Sequence, residues 1–347
     1  MTSPSSPARA PFHLGQESVA PGTRRQIDVP VARLYTHTPL HIPVEVVHGR
    51  RSGPVLLVCG GIHGDEINGV EIVRRLLHVK SIAALRGTLI AVPVVNVFGF
   101  LQQTRYLPDR RDLNRCFPGS EAGSLGGRIA ALFRQQIVDH ATHIIDLHTG
   151  ALHRTNFPQI RARLTPGSDT ERMADAFGAP VVLNAELRDG SLRHYAQHRH
   201  IPVLTYEAGE ALRFDEWAIG PGVSGVLRVM RRLGMLTGEH RRRRPAPAEI
   251  ANGSGWARAP IDGILRPRVR LGARVARGDL LGRVADPFGN DEGEVRAVAD
   301  GIVIGTSRLP LVNEGEALFH IARFDAIEEA ETAIETFQST FTPPPAF

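Results

Sequence analysis

The stretch GPVLLVCGGIHGDEINGVEIVRRLLHV, Gly53 to Val79, decides the fold. Its first part is apolar or small at consecutive positions, the pattern of a central strand covered on both faces rather than of a half-exposed edge. Its last part sets Ile67, Val70, Val73, Leu76 and Leu77 at helical spacing. Between them lies a glycine-rich turn carrying His63, Asp65 and Glu66. A buried strand feeding a helix through a polar turn is the repeating unit of α/β sheets.

The same alternation continues outward. IPVEVVHG before the stretch, and GTLIAVPVVN, THIIDLHTG, APVVLNAE and IPVLTYEAG after it, read as strands. GGRIAALFRQQIVDHA, DTERMADAFG (closed by Gly178) and SLRHYAQHRH read as helices. The expected fold is α/β, a mostly parallel mixed sheet covered by helices. Ligands of such sheets sit beyond the carboxyl ends of the strands. His63 follows one strand, His148 closes another and Glu207 closes a third.

Residues 1–22, rich in Ser, Pro and Ala, read as a disordered N-terminus, and 23–237 as the α/β domain. An Arg/Pro-rich linker is expected over 238–255, a β module over 256–326 and a C-terminal tail over 327–347. Within the module APIDGILR (Ala259 to Arg266) partly repeats as AVADGIVI (Ala297 to Ile304), which suggests a small all-β barrel-sandwich. The pattern resembles biotinyl/lipoyl-type modules. Their carrier lysine is missing here, so a cap or assembly role is expected.

Composition narrows the function classes. The net charge is +5, and 40 of the 41 basic residues are arginine, Lys80 being the exception. Aromatics make up 6%, too few to interleave with a basic nucleic-acid face, so no nucleic-acid partner is expected. No apolar run reaches the ~18 residues of a membrane-spanning helix and no secretory h-region opens the chain, so a cytoplasmic protein without membrane association is expected. The two cysteines, Cys59 and Cys116, exclude a disulfide scaffold and read as buried structural thiols. A homo-oligomer is left open.

Composition alone predicts about one or two His-x-x-acid pairs, and two occur, His63/Glu66 and His143/Asp146. Spacing therefore carries no weight, and context supplies it. On a glycine-rich turn at a strand end, an imidazole and a carboxylate three residues apart can meet one Zn²⁺ at about 2.0–2.2 Å. His148 in IIDLHTG offers the third ligand, and Asp146 a group behind it. Histidines satisfied within turns are the plain alternative for any one of these residues; the joint pattern favours the metal. TRYLPDRRDLNRCFPG, Thr104 to Gly119, holds Arg105, Arg110, Arg111 and Arg115, a density that suits an anionic substrate group. Glu207 in TYEAGE is suited to act as general base, with Glu210 the weaker candidate.

Taken in order, HGDE, RDLNRCFPG, DLHTG and YEAGE resemble the succinylglutamate desuccinylase/aspartoacylase family, which is similar in fold to the zinc carboxypeptidases. The resemblance covers about residues 45 to 235 and reaches about 325 if the β module is included. It implies one Zn²⁺ held by His63, Glu66 and His148, with Glu207 activating water. It further implies Asn114 and Arg115 on the substrate's α-carboxylate and Arg105 polarising the carbonyl, Arg110 and Arg111 being rivals. Arg193 is the nearest counterpart of an arginine that recognises the substrate side chain. Asp65 reads as a supporting residue. The implied activity is hydrolysis of a small anionic N-acyl amino acid, acetyl or succinyl in type. The alternatives are a carboxypeptidase acting on peptides and a non-catalytic binding protein that retains the fold.

Overall fold

In the computed structural model, the strand Arg51–Gly60 and the helix Ile67–Leu77 after it follow the reading of Gly53–Val79 closely. Successive residues of the strand enter opposite cores. Leu57 and Cys59 pack with Ile90, Val92 and Ile144 on one face. Leu56 and Val58 pack with Leu89, Ala91 and Ile145 on the other. Burial on both faces is why the run is continuously apolar.

The structure describes residues 9–238 and 249–341. In chain order the first elements are β1 (Phe12–Leu14), β2 (Glu17–Val19), β3 (Thr23–Arg33), β4 (Pro39–His48), β5 (Arg51–Gly60), α1 (Ile67–Leu77), β6 (Arg86–Val92) and α2 (Val97–Gln102). Then come α3 (Leu125–Gln136), β7 (His143–Gly150), β8 (Arg154–Ala162), α4 (Asp169–Phe177), β9 (Val181–Asn184), α5 (Leu192–His198), β10 (Val203–Glu210) and α6 (Glu216–Arg232). The rest is β11 (Glu249–Arg258), β12 (Gly263–Pro267), β13 (Arg274–Val275), β14 (Leu280–Ala285), β15 (Glu292–Arg296), β16 (Gly301–Ser307), β17 (Leu311–Val312), β18 (Ala317–Phe324) and α7 (Ile327–Thr340). Gly178 closes α4 at φ 69°, as its position in the sequence suggests. No described helix is long and apolar enough to cross a membrane.

Twelve strands form one sheet in the order β13-β16-β18-β11-β9-β8-β10-β7-β5-β6-β4-β3. The expectation of a mostly parallel sheet holds only for its centre. The neighbours β10-β7-β5-β6 run parallel, as do β8 with β9 and β9 with β11; the other pairings are antiparallel. Short connections explain this. Residues 151–153 alone join β7 to β8, far fewer than the dozen or more a parallel crossover requires.

The expected domain boundaries also change. Residues 1–8 lie outside the described residues, but 9–22 is ordered: β1 pairs with β2, Phe12 opposite Val19. Leu14 and Val19 are buried in the first core, and the Arg9 guanidinium donates to the carbonyls of Gly49 and Gly87 and to Thr88 Oγ1. A Ser/Pro-rich composition hid these anchors. Of the linker, 239–248 falls outside the described residues, while Glu249–Gly255 opens β11: Glu249–Ala251 pair in parallel with β9 and Gly253–Gly255 antiparallel with β18. Its Asn, Gly and Ser residues read as a loop because backbone pairing, which side chains do not advertise, holds it. The tail is α7, whose Ala330, Ile334 and Phe337 pack with Phe157 and Ala251; residues 342–347 lie outside the described residues.

The β module, in turn, is not separate. β8, β9, β11, β18 and β16 pair around a closed five-stranded ring. Two of its strands come from the α/β half and three from the C-terminal segment. The repeated sequences end in different sheets, AVADGIVI at β16 and APIDGILR at β12, whose partners are β14 and β17. The C-terminal segment is thereby fixed beside β8 and β9, at the edge of the cleft.

Candidate metal centre and its cleft

His63 follows β5, His148 lies near the end of β7 and Glu207 in β10, three adjacent parallel strands. Glu207 is in register with His148. Glu66 reaches them because the first turn of α1 lies against β5 and β7. A Cβ on Gly60 would meet the Gly69 carbonyl carbon at 2.8 Å, and one on Gly69 would meet the Leu147 oxygen at 2.9 Å. Only glycine at both positions permits that approach.

Glu66 is the hub. Its Oε1 lies 2.7 Å from His63 Nδ1 and accepts from Arg105 Nη1 at 3.1 Å. Its Oε2 lies 2.8 Å from His148 Nδ1 and accepts from the Thr149 amide at 3.0 Å. The second nitrogen of each ring also meets a carboxylate: Asp112 Oδ1 at 3.1 Å from His63 Nε2, and Asp146 Oδ2 at 2.8 Å from His148 Nε2. His63, Glu66 and His148 are all buried, and one ligand atom from each lies within 4.8 Å of the others. The group can hold a metal ion.

Burial would neutralise these residues, but their neighbours prevent it. The Glu66 carboxyl sits well below the usual carboxylate range because the charges and hydrogen bonds of His63 and His148 outweigh its desolvation. Asp112 is held low in the same way, by His63 and Arg105. His148 is raised well above the ordinary imidazole value, since Asp146 and Glu66 outweigh burial. Ring protons thus answer the acids of the cradle, and a dication held there would take their place.

The cavity around the cradle, about 190 Å³, is lined by His63, Glu66, His148, Glu207, Arg105, Asn114, Arg115 and Arg193 among others. The eight residues to which the resemblance gives metal, catalytic or substrate-binding roles all line it. Arg105 donates Nε and Nη2 to Asp112 at 3.3 and 2.9 Å. Its rivals stand apart: Arg111 faces Asp109, and neither it nor Arg110 lines the cavity. Asn114 Oδ1 accepts from the Leu192 amide at 2.9 Å. Arg193 donates to the carbonyls of Ala185 and Glu186. Glu210 does not line the cavity. Asp65 does not line the cavity; its backbone carbonyl accepts from the Leu212 amide at 2.8 Å. Both cysteines are free thiols; Cys59 is buried, whereas Cys116 is partly exposed.

A model of the succinylglutamate desuccinylase/aspartoacylase catalytic domain matches residues 52–233. The chain is 30% identical over 298 residues to the N-alpha-acetyl-L-2,4-diaminobutyric acid deacetylase of Halomonas elongata, covering 81% of this chain and 85% of the relative. The chain belongs to the succinylglutamate desuccinylase/aspartoacylase family. A succinylglutamate desuccinylase of Burkholderia cenocepacia is 28% identical over 46% of this chain and 50% of its own length. The crystal structure of a succinylglutamate desuccinylase/aspartoacylase from Rhodobacter sphaeroides superposes with a TM-score of 0.77 at 26% identity, covering 87% of this chain and 94% of that one. A deacetylase and a desuccinylase among the relatives put this member of the family with the deacylating hydrolases.

Several residues of the site escaped the sequence reading. Asp112 opens the DLNR motif and serves two partners: it backs His63, and its Oδ1 accepts from the Asn114 amide at 2.8 Å. Its signal was the capping position of an Asp before a short turn. Asn156 donates to Glu207 Oε2 at 2.8 Å, and Arg161 Nε lies 3.7 Å from Glu207 Oε1. Both sit on β8, whose sequence RTNFPQIRA carries no signature. Trp256 lines the cavity from β11, a contribution that only closure of the ring makes visible.

Proposed function

We propose that the chain is a zinc-dependent amidohydrolase, with one Zn²⁺ per chain, that removes an acetyl- or succinyl-type acyl group from an N-acyl amino acid or related small carboxylate. The convergence of His63, Glu66 and His148 within 4.8 Å, in a cavity shared with Glu207, carries this reading. Two imidazole nitrogens and one carboxylate oxygen suit catalytic zinc, which takes three protein ligands and keeps a position for water. Asp112 and Asp146 behind the two rings are the outer partners such histidines use. Bound there, zinc supplies Lewis acidity, acidifying water and polarising the scissile carbonyl.

The chain's own residues do the rest. Glu207, oriented by Asn156, takes the proton of the attacking water and returns it to the leaving amine. Arg105 keeps N–H groups free beyond its three hydrogen bonds and donates to the developing oxyanion, a role worth about 3 kcal/mol. The Leu192 amide occupies Asn114 Oδ1, so the NH₂ of Asn114 is the group available to grip the α-carboxylate with Arg115. Arg193 contacts the remainder of the substrate. The free thiols suit a reducing compartment, and we assign the enzyme to the cytoplasm.

The test is a screen of N-acetyl- and N-succinyl-amino acids, with short peptides alongside, on zinc-loaded and chelator-treated protein. Release of free amino acid at about one zinc per chain, lost on chelation, is expected. A zinc-loaded protein that hydrolyses none of the N-acyl amino acids would overturn the proposal.

A further inference from the structure

Outside the catalytic cavity, α5 carries a pair of histidines that the reaction does not use. In SLRHYAQHRH, His194 and His198 stand four residues apart and so share one face of the helix. Leu192 and Ala196, offset from them by two residues or about 200°, pack into the first core and keep that face outward. The Nε2 atoms of the two histidines lie 3.0 Å apart, and the rings meet edge-on with centroids 4.5 Å apart. The same His194 nitrogen is 3.4 Å from Asp189 Oδ1. None of the three residues lines the cavity around the cradle.

A turn, not the helix, brings Asp189 to the pair. Gly190 takes φ 73°, a conformation that favours glycine, and a Cβ there would run into the Arg115 carbonyl. Its own carbonyl accepts from the Phe117 amide at 2.9 Å. The Ser191 amide donates to the Arg188 carbonyl at 3.2 Å. Ser191 Oγ then caps α5, accepting from the His194 amide at 3.1 Å. The chain around Asp189 is thus held in place, while its side chain stays fully exposed and free to turn toward the two rings.

Imidazoles at i and i+4 on one helix face are a recurrent metal chelate. An ion about 2.0–2.1 Å from each Nε2 would see the two nitrogens, 3.0 Å apart, at an angle of about 95°. That angle suits the tetragonal nitrogen and oxygen surroundings of Cu²⁺ and Ni²⁺ better than the wider angle of tetrahedral zinc. The Asp189 carboxylate adds an oxygen donor and the negative charge that answers a dication. The donor set is therefore two imidazoles and a carboxylate, as in the cradle, but it stands at the surface and at a different angle.

We propose that His194, His198 and Asp189 form a second metal site, separate from the cradle, for a divalent late transition ion of the Cu²⁺ or Ni²⁺ kind. The site goes beyond the deacylase reading and does not depend on it. An ion held there fastens the turn at 188–191 to α5. Arg188, Ser191 and Arg193 of the same stretch line the catalytic cavity, so occupancy stiffens one wall of the cleft from outside. It also stabilises the folded chain, as any ligand that binds only the native state does.

The test uses the full chain without a polyhistidine tag, equilibrated with zinc beforehand. Calorimetric titration with Ni²⁺ should find one further equivalent per chain, bound about ten-fold or more tighter than by His194→Gln or His198→Gln protein. Asp189→Asn should weaken it about three-fold, and His200→Gln, at the exposed histidine next to the pair, should leave it unchanged. With half an equivalent of Cu²⁺, the electron paramagnetic resonance spectrum should report two imidazole nitrogens, a signature lost in either variant of the pair. The melting temperature should rise with Ni²⁺ in the native chain but not in those two variants, their circular dichroism being unchanged. The comparison is with the histidine variants, so the outcome does not turn on whether the cradle carries zinc or the chain is a deacylase. Equal Ni²⁺ affinity in the native chain and both variants, or a copper spectrum that neither variant alters, would overturn the site. Undiminished binding by Asp189→Asn would remove the carboxylate from it.

Discussion

At the cradle every charge is answered locally. Glu66 stands between two rings, each ring has a second acid behind it, and Arg105 bridges Glu66 and Asp112. A few residues away a second cavity of about 650 Å³, the annex, gathers four arginines around one carboxylate residue, and among the described residues Arg161 Nε and His320 Nδ1 have no hydrogen-bond partner. Both regions lie at the same end of the sheet, in contiguous cavities. The difference separates a site whose charges are balanced by its own side chains, and which could hold a metal ion, from one whose lining is mostly of one sign.

Breaking the cradle should give the largest effects. Glu66→Ala removes the hub, and metal analysis of the purified variant should find essentially no zinc and no turnover. Glu207→Gln leaves the ligands intact; zinc should stay near one per chain while kcat falls about 10²- to 10⁴-fold. Near-normal hydrolysis by that variant would remove Glu207 from its role as base. The outer acids come next. Asp112→Asn and Asp146→Asn should each weaken zinc binding about 10- to 100-fold, measured by competition with a chelating dye; unchanged affinity would make the two acids mere fillers.

On the annex side the sharpest observable is acid stability. Burial, with Arg161 and Arg188 nearby, pushes the His320 pKa down to about 3, whereas the unfolded chain titrates this ring near 6.5. The folded state therefore binds fewer protons than the unfolded one between these values. Stability is complete above about pH 6.5 and falls as pH drops toward 3, by up to about 1.4 kcal/mol per pH unit from this residue. His320→Phe keeps an aromatic against Trp256 and should flatten the denaturant-derived stability profile in that window. An unaltered slope would mean that His320 titrates normally and that the annex is wetter than its packing implies.

The parts legible in the sequence are those encoded by neighbours along the chain. The two-sided burial of β5, the helical face of α1 and the Gly178 stop follow from local periodicity and backbone freedom. His63, His148 and Glu207 could be assigned to one cleft because each sits on or just after one of three strands, β5, β7 and β10, that parallel topology sets side by side. Asn156 and Arg161 were illegible for the opposite reason: an Asn or Arg on a strand acquires meaning only from the residue that lies across from it. The hairpin of 12–19 and the first residues of β11 were misread because composition reports solvation rather than pairing; Leu14 and the ladder from Glu249 to Val181 carry those segments.

For this protein, the order of HGDE, DLNR, DLHTG and YEAGE along the chain was enough to name the family and an α/β fold and to single out His63, Glu66 and His148 as one cluster, since the chemistry of each motif is carried by residues adjacent in the chain. The closed ring of β8, β9, β11, β18 and β16 belongs to the tertiary structure alone. It depends on backbone hydrogen bonds between segments as far apart in the chain as Asn156 and Gly305, which leave no periodic trace in either partner. That ring is what brings Trp256 and His320 to the arginines of the cleft, so the shape and charge of the annex were settled only when the chain closed on itself.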